Sequence, residues 1–449
     1  MEHKNGKFST WLKTSITARM LVVGMLILVL LIPLQFVKNL IYERGARQSE
    51  VIHEINEKWG NDVILSGPIL KIPYKTFKTT RLFNEATKKY ETNTETIIKT
   101  AFVFPDTLDI KADVKTKESN RSIYKSVVYT ADMAVSGTFP KIDLSEQDVK
   151  PENIIWEKVS VVIQTSNIKG IKSSMAVNLD GTSLPLNPKF TKDYLNTIQS
   201  VVIPDFDTMA KKEMPFTFSA KINGSERLQF IPIGKETKVA MSSNWHSPSF
   251  NGNYSPMDEG KSISAQGFNA QWEVYQINRQ FEQVFFHALP DLTNFAFGAD
   301  LIIPVNEYQK SERTAKYGFL VIGLTLLVFL MIQIGSKMYI HPFQYVMIGL
   351  ALVMFYTLLI SISEHSSFLK AYITAASAVL LLITVYSRFM FKGWKLPALI
   401  AFSLASLYGF IYVIIQLENY ALLAGSIGLF IILAIVMFAS RKIDWGGNE

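Results

Sequence analysis

Three Ser-x-x-Lys pairs, Ser122/Lys125, Ser166/Lys169 and Ser367/Lys370, offer the first opening for covalent chemistry in this 449-residue chain. On a helix this spacing sets the lysine amine one turn from the serine hydroxyl, where it can draw off the proton. The first two pairs fall in stretches of β or turn character, where the two side chains do not meet. The third opens an apolar segment, where Lys370 has a simpler role as an interfacial anchor. The companion Ser-Asp-Asn and Lys-[Ser/Thr]-Gly elements are absent, so acyl transfer has no support. The six histidines are His3, His53, His246, His287, His341 and His365. No two share the i, i+4 spacing of a helical metal site, and there is no cysteine to supply a thiolate, a disulfide or a soft metal ligand. Gly-x-Ser-x-Gly, P-loop and Gly-x-Gly-x-x-Gly patterns are missing as well. The sequence thus predicts no catalytic residue, no metal and no cofactor.

One polar constellation remains. Tyr308-Gln309-Lys310-Ser311-Glu312-Arg313 precedes the second apolar run, Ser363-Glu364-His365 closes the third, and Glu418-Asn419 caps the fifth. In a compact bundle these groups converge at one boundary, giving a candidate site of Tyr308, Lys310, Glu312, Arg313, Glu364, His365 and Glu418. Ordinary helix capping and charge pairing explain the same residues. As chemistry, Glu364 and His365 are the acid/base candidates, with Arg313 or Lys310 holding an anionic head group.

The elements that position these residues follow from the distribution of apolar residues. Hydrophobic residues make up 49% of the chain and charged residues only 18%, against about a quarter charged in a soluble protein. The excess is gathered in Met20–Val37, Tyr317–Gly335, Phe343–Ile362, Ala371–Tyr386, Leu396–Gln416 and Tyr420–Ser440. Each is long enough to cross a hydrocarbon layer of about 30 Å, the fourth by starting at Phe368 with Lys370 snorkelling. The first follows Lys4, Lys7, Lys13 and Arg19 but is longer than a signal-peptide core and lacks a cleavage pattern, so it reads as an uncleaved anchor. No acidic or basic residue interrupts the six cores except Lys370 at an edge, which argues against ion-coupled transport.

The net charge of +7 is not spread over a surface that would bind nucleic acid. Residues 38–316 hold 34 basic and 33 acidic side chains; the remainder holds 11 and 5. With the N-terminus inside and six spans, ten basic residues lie in the inner tails and loops and Lys370 alone in the outer short loops, as the positive-inside rule requires. The expected organisation is a cytoplasmic tail (1–19), a transmembrane anchor (20–37), an amphipathic stalk helix (38–61), a periplasmic mainly-β domain (62–316), a five-helix transmembrane bundle (317–440) and a cytoplasmic tail (441–449). The fold class is an α+β membrane protein with both termini cytoplasmic.

The β expectation rests on alternation. Val127, Tyr129, Ala131, Met133 and Val135 alternate with mostly polar neighbours, as do Val159/Val161/Ile163 and Met175/Val177/Leu179. Asp180-Gly181 and Asn223-Gly224 both read as hairpin turns between antiparallel strands. One large sandwich and two smaller β units both fit this pattern.

Six stretches carry a resemblance to a known family: IIPVNEYQKSERTAKYGFL, HPFQYVMIGLALVMFYTLLISISEH, LYGFIYVIIQLENYALLAGSIGLF and RKIDW in the C-terminal third, with LSGPILKIPY (65–74) and FNAQWEVYQINRQF (268–281) before them. They resemble the CreD family of inner-membrane, cell envelope integrity proteins of Gram-negative bacteria. The resemblance implies one span, a large periplasmic domain and a C-terminal bundle, in a two-component envelope-stress setting with altered sensitivity to colicins and β-lactams. It implies no enzymatic activity, cofactor or catalytic residue. The expected function is therefore non-enzymatic support of the envelope, with the β domain binding an envelope protein, peptidoglycan or lipid head groups and the bundle embedded in membrane lipid. A membrane enzyme or lipid-handling protein working at the periplasmic boundary is the alternative.

Overall fold

A computed structural model describes residues 15–84, 88–145, 149–191, 194–303, 307–336, 338–417 and 420–441. The chain divides into two compact units, Met1–Ser49 with Val305–Glu449, and Glu50–Pro304.

The first unit is helical. Helix α1 (Ile16–Trp59) contributes its part up to Ser49, followed by α2 (Glu307–Lys316), α3 (Gly318–Ser336), α4 (Pro342–Ser363), α5 (Phe368–Met390), α6 (Lys395–Gln416) and α7 (Ala421–Ser440). Five of these, α1 and α3 to α6, are long and apolar enough to cross a membrane, and the apolar stretch Leu422–Phe438 of α7 is shorter. Helix α1 runs unbroken through Pro33, so the anchor and the stalk are a single 44-residue helix. Its buried residues Val23, Leu30, Leu34, Val37 and Ile41 step by seven, four, three and four, a seam that faces the bundle. Leu30 and Leu34 lie over Gly349 of α4 and Gly318 of α3, where a β-carbon would collide with them. Helix α4 starts at the His341-Pro342 pair, a proline suiting the first helical turn. Pro342 takes the first helical position, the Phe343 amide donates to His341 Nδ1 (3.2 Å), and the Gln344 side chain accepts from the His341 amide (2.9 Å). Helix α5 begins at Phe368.

The second unit is built on strands. In chain order they are β1 (Val63–Asn84), β2 (Lys89–Val103), β3 (Thr107–Arg121), β4 (Tyr124–Phe139), β5 (Ser160–Thr165), β6 (Ala176–Leu179), β7 (Thr182–Lys189), β8 (Asn196–Ser200), β9 (Met214–Ser225), β10 (Arg227–Phe230), β11 (Glu236–Ser243), β12 (Ser249–Gly252), β13 (Ser262–Ser264), β14 (Gly267–Tyr275), β15 (Val284–Phe286) and β16 (Phe297–Asp300). One layer has the order β12-β16-β10-β1-β5-β8, with β2 beside β1 and β15 beside β2; the other has β6-β9-β4-β3-β11-β14-β13. Strand β7 joins them, pairing with β6 through Thr182–Pro185 and with β8 through Leu186–Lys189.

Both layers share one core, so the sandwich is a single unit. Val127, Tyr129, Ala131, Met133 and Val135 all point into it. Trp272 of β14 lies 5.8 Å from Phe297 of β16 and 5.7 Å from Phe250 of β12, centroid to centroid. The strands are not all antiparallel: β1 pairs with β10, and β3 with β11, in parallel.

The two Asx-Gly signals part company. Asp180 (φ 47°) and Gly181 (φ 86°) form the tight β6–β7 turn that the dipeptide predicts. Asn223-Gly224 forms no turn. It continues β9, opposite Thr130 and Tyr129 of β4, and the chain passes to β10 at Glu226 (φ 58°). Glycine is needed at 224 because the Tyr129 ring lies against its α-carbon, where a side chain would collide with it.

Candidate functional site

Six of the seven boundary residues lie within the described part of the helical unit; Glu418 lies outside the described residues. The short helix α2 sets the geometry. Its Tyr308, Ser311, Thr314 and Ala315 are buried at spacings of three, three and one, which turns one face to the bundle. From that face the Tyr308 hydroxyl donates to Glu364 Oε1 at 3.0 Å, where α4 ends. Arg44 Nε of α1 stands 3.8 Å from the same oxygen. Two residues along α2, Lys310 Nζ lies 5.6 Å above the Phe368 ring at the start of α5. Glu307 completes the group: its Oε2 accepts the Phe368 amide at 3.1 Å, capping α5 with a negative charge where the helix dipole favours one.

The structure thus joins Tyr308 to Glu364, sets Lys310 over Phe368, and leaves the other three aside. Glu312 pairs with Lys316 along the exposed face of α2 (3.1 Å). Arg313 is exposed. His365 is exposed, while its neighbour Glu364 is held by the phenol and the guanidinium. The members missed from sequence are Arg44 and Glu307. Glu307 stands next to Tyr308 and is the acidic residue of the first turn of α2, a cue that could have added it. Arg44 sits among charged stalk residues and carried no distinguishing signal.

The Ser-x-x-Lys serines have structural partners or positions. Ser166 Oγ donates to the Asp62 carbonyl (2.7 Å) and accepts the Ile64 amide (2.8 Å). Ser122 is a turn residue (φ 56°) between β3 and β4, and Ser367 is the N-cap position of α5. Among the described residues no group of three His, Asp or Glu side chains could hold a metal ion.

The β unit has two polar features that sequence reading did not single out. The first gathers at the β9–β10 corner. Arg227 grips the buried Asp300 through Nε (2.7 Å) and Nη2 (3.1 Å), and Asn251 donates to the same carboxylate. Asp62 stands 3.8 Å from Arg227. Burial raises the Asp62 carboxyl above its ordinary value, partly opposed by Arg227. Burial also raises Glu226, opposed by a hydrogen bond from Asn56. Arg227 itself is raised, chiefly by its bond to Asp300. The end of α1 fastens to this region: Ser126 Oγ donates to Asn56 Oδ1 (2.6 Å) and Trp59 Nε1 to the Tyr129 carbonyl (3.0 Å). Arg279 is a separate buried cation held by the Gly234, Phe281 and Ile233 carbonyls and lowered by burial to about 10.

The second feature is an open trough of about 640 Å³ on the outer face of β9, β4, β3, β11 and β14. Strand register sets two cross-strand rows: Ser219, Ala134, Lys111, Ala240 and Gln271, then Lys221, Asp132, Asp113, Ser242 and Asn269. In the first row only Ser219, Ala134 and Ala240 are short, and Lys111 and Gln271 rise between and beside them. In the second, Asp113 faces Asp132 directly, and Lys221 (3.2 Å from Asp132) and Lys115 (3.4 Å from Asp113) offset the repulsion. The trough can take up an extended polar ligand by hydrogen bonds from Lys, Ser, Asn and Gln.

Apolar helices gathered in one unit, with a β sandwich inserted between the first and second of them, define an integral membrane protein carrying a large β unit. The chain matches the family model described as "Inner membrane protein CreD" over residues 15–446, and it belongs to that family. It is similar to the inner membrane protein CreD of Escherichia coli (strain K12), with 29% identity over 421 residues that cover 93% of this chain and 91% of that protein.

Proposed function

We propose that the protein supports cell envelope integrity or the response to envelope stress without catalysing a reaction, and that its β unit binds an envelope component. In this reading α7 is a sixth span, both termini are cytoplasmic and residues 38–316 are periplasmic. The positive-inside count and the six apolar runs support that arrangement. The observation that carries the binding half is the trough, a wide concavity in which charged and hydrogen-bonding side chains stand among small apolar ones and which no segment of the described chain fills. Its mixed charge and hydrogen-bonding rows suit an envelope protein segment or a peptidoglycan strand better than an apolar surface.

The acid/base alternative finds less support, because Glu364 is engaged by Tyr308 and Arg44 while His365 is exposed. The cysteine-free chain makes the test direct. A photo-crosslinker attached to Ser219→Cys is expected to trap a discrete envelope product in intact cells, and one on the exposed Lys211→Cys is not. The same smear from both positions sinks the binding reading.

A further inference from the structure

A second concavity, of about 760 Å³, runs between α5 and α6. It extends from Leu369 and Tyr412 at one end to Val385 and Trp394 at the other. Sixteen residues of helix separate Leu369 from Val385, about 24 Å at 1.5 Å per residue, most of a hydrocarbon core of about 30 Å. Ala376 of α5 and Ala401, Ala405 and Gly409 of α6 keep the two helices from filling the groove. Two of its hydroxyls are already spent on backbone: Tyr372 donates to the Tyr408 carbonyl (2.7 Å) and Thr384 to the Leu380 carbonyl (2.6 Å). The surface that remains is mostly apolar, as a hydrocarbon chain requires.

Charge distinguishes the two ends. At the Trp394 end stand three basic residues, Arg388 in the last turn of α5, Lys392 in the α5–α6 connection and Lys395 at the start of α6, against Lys370 alone at the Leu369 end, and no acidic residue occurs between Glu364 and Glu418. Arg388 is positioned, not loose: its guanidinium stacks 5.5 Å from the Trp394 ring and Nη1 reaches the Phe391 carbonyl at 3.4 Å. Lys392 and Lys395 are exposed and have no ion-pair partner among the described residues. The geometry points to a binding site for an anionic phospholipid, with its phosphate held by Arg388, Lys392 and Lys395 beside Trp394 and an acyl chain lying in the α5–α6 groove. Basic residues at the mouth of an interhelical groove attract anionic head groups, each adding a roughly equal increment of binding. The site is separate from the trough and from the Tyr308–Glu364 group, and does not depend on either.

The test uses the full-length protein, purified in mild detergent and equilibrated with equal mole fractions of phosphatidylglycerol and phosphatidylcholine, with bound lipid counted by native mass spectrometry. The wild type should retain phosphatidylglycerol over phosphatidylcholine by at least about tenfold. R388Q/K392Q/K395Q should abolish the preference while keeping the wild-type melting temperature. Ala405→Leu, which fills the groove and leaves the charges, should reduce retention of both lipids. Lys392→Gln alone, at an exposed loop position that cannot upset folding, should lower the preference measurably. Equal retention of the two lipids by the wild type would overturn the site, as would an undiminished preference in the triple variant. A lipid-free dimer dissociated by Ala405→Leu would overturn it too, in favour of a second copy in the groove.

Discussion

Tyr308 and Glu364, fifty-six residues apart in sequence, are joined by a 3.0 Å hydrogen bond that ties the short helix before α3 to the end of α4. Tyr308 is 8% exposed, so its hydroxyl has little recourse to water if the carboxylate is lost. Tyr308→Phe is expected to cost about 1.5–3 kcal/mol, the range for a hydrogen bond to a charged partner. Arg44 is half exposed and 3.8 Å away, so Arg44→Gln should cost no more than about 1 kcal/mol. Thermal unfolding in detergent, run as a double-mutant cycle with Glu364→Gln, measures both terms. A coupling between Tyr308 and Glu364 no larger than that of Arg44 would show that the bond contributes little.

The proposed topology makes a separate prediction, because every cysteine introduced into this chain stands alone. Ser219→Cys in the trough and Lys392→Cys in the α5–α6 connection are expected on opposite sides of the membrane. A membrane-impermeant maleimide added to spheroplasts should label the first and spare the second until the membrane is broken. Labelling of both in intact spheroplasts would refute the six-span arrangement.

How much of this was legible beforehand depends on the range of the interactions involved. The apolar runs, the start of α5 at Phe368 and the His341-Pro342 opening of α4 are local, so length, capping chemistry and hydropathy sufficed. Buried alternation at Val127–Val135 is equally local. The parallel β1–β10 and β3–β11 pairings are not, because nothing in either strand states its partner's direction. The boundary group was half visible: Tyr308 and Glu364 stood out beside apolar runs, while Arg44 reaches them from a helix more than 260 residues earlier. The trough was hidden for another reason. Its residues occupy ordinary solvent-facing positions and become a concavity only when five strands set them in register.

The two glycines of the Asx-Gly pairs should respond unequally to alanine. At Gly181 a β-carbon meets nothing within 4 Å, so Gly181→Ala carries only the strain of a positive φ, about 1–2 kcal/mol. At Gly224 the same change drives a methyl into the buried Tyr129 ring, whose hydroxyl is fixed by a 2.6 Å bond to the Arg227 carbonyl. Gly224→Ala is therefore expected to exceed the roughly 1–3 kcal/mol typical of overpacking, or to prevent folding of the β unit. Urea unfolding followed by tryptophan fluorescence ranks the two; a milder effect at 224 would restore the hairpin reading of Asn223-Gly224.

Asp62 and Glu226 predict a pH dependence of opposite sign to that of ordinary salt-bridged carboxylates. Both are raised in the folded β unit because burial disfavours their charged forms more than Arg227 and Asn56 favour them. A carboxyl with a higher value folded than unfolded binds its proton more tightly in the native state. Its stabilising contribution is full below the unfolded value and is lost as pH rises through the folded one. The β unit should accordingly resist urea better in mild acid than the paired variant Asp62→Asn/Glu226→Gln, relative to their difference at neutral pH. At neutral pH that variant should be at least as stable as the wild type, since it no longer ionises groups held away from water. Arg227–Asp300 stays intact in both proteins, so the comparison isolates the two raised carboxyls. A wild-type-minus-variant difference that stays constant across the acidic range would mean that neither group is shifted by folding.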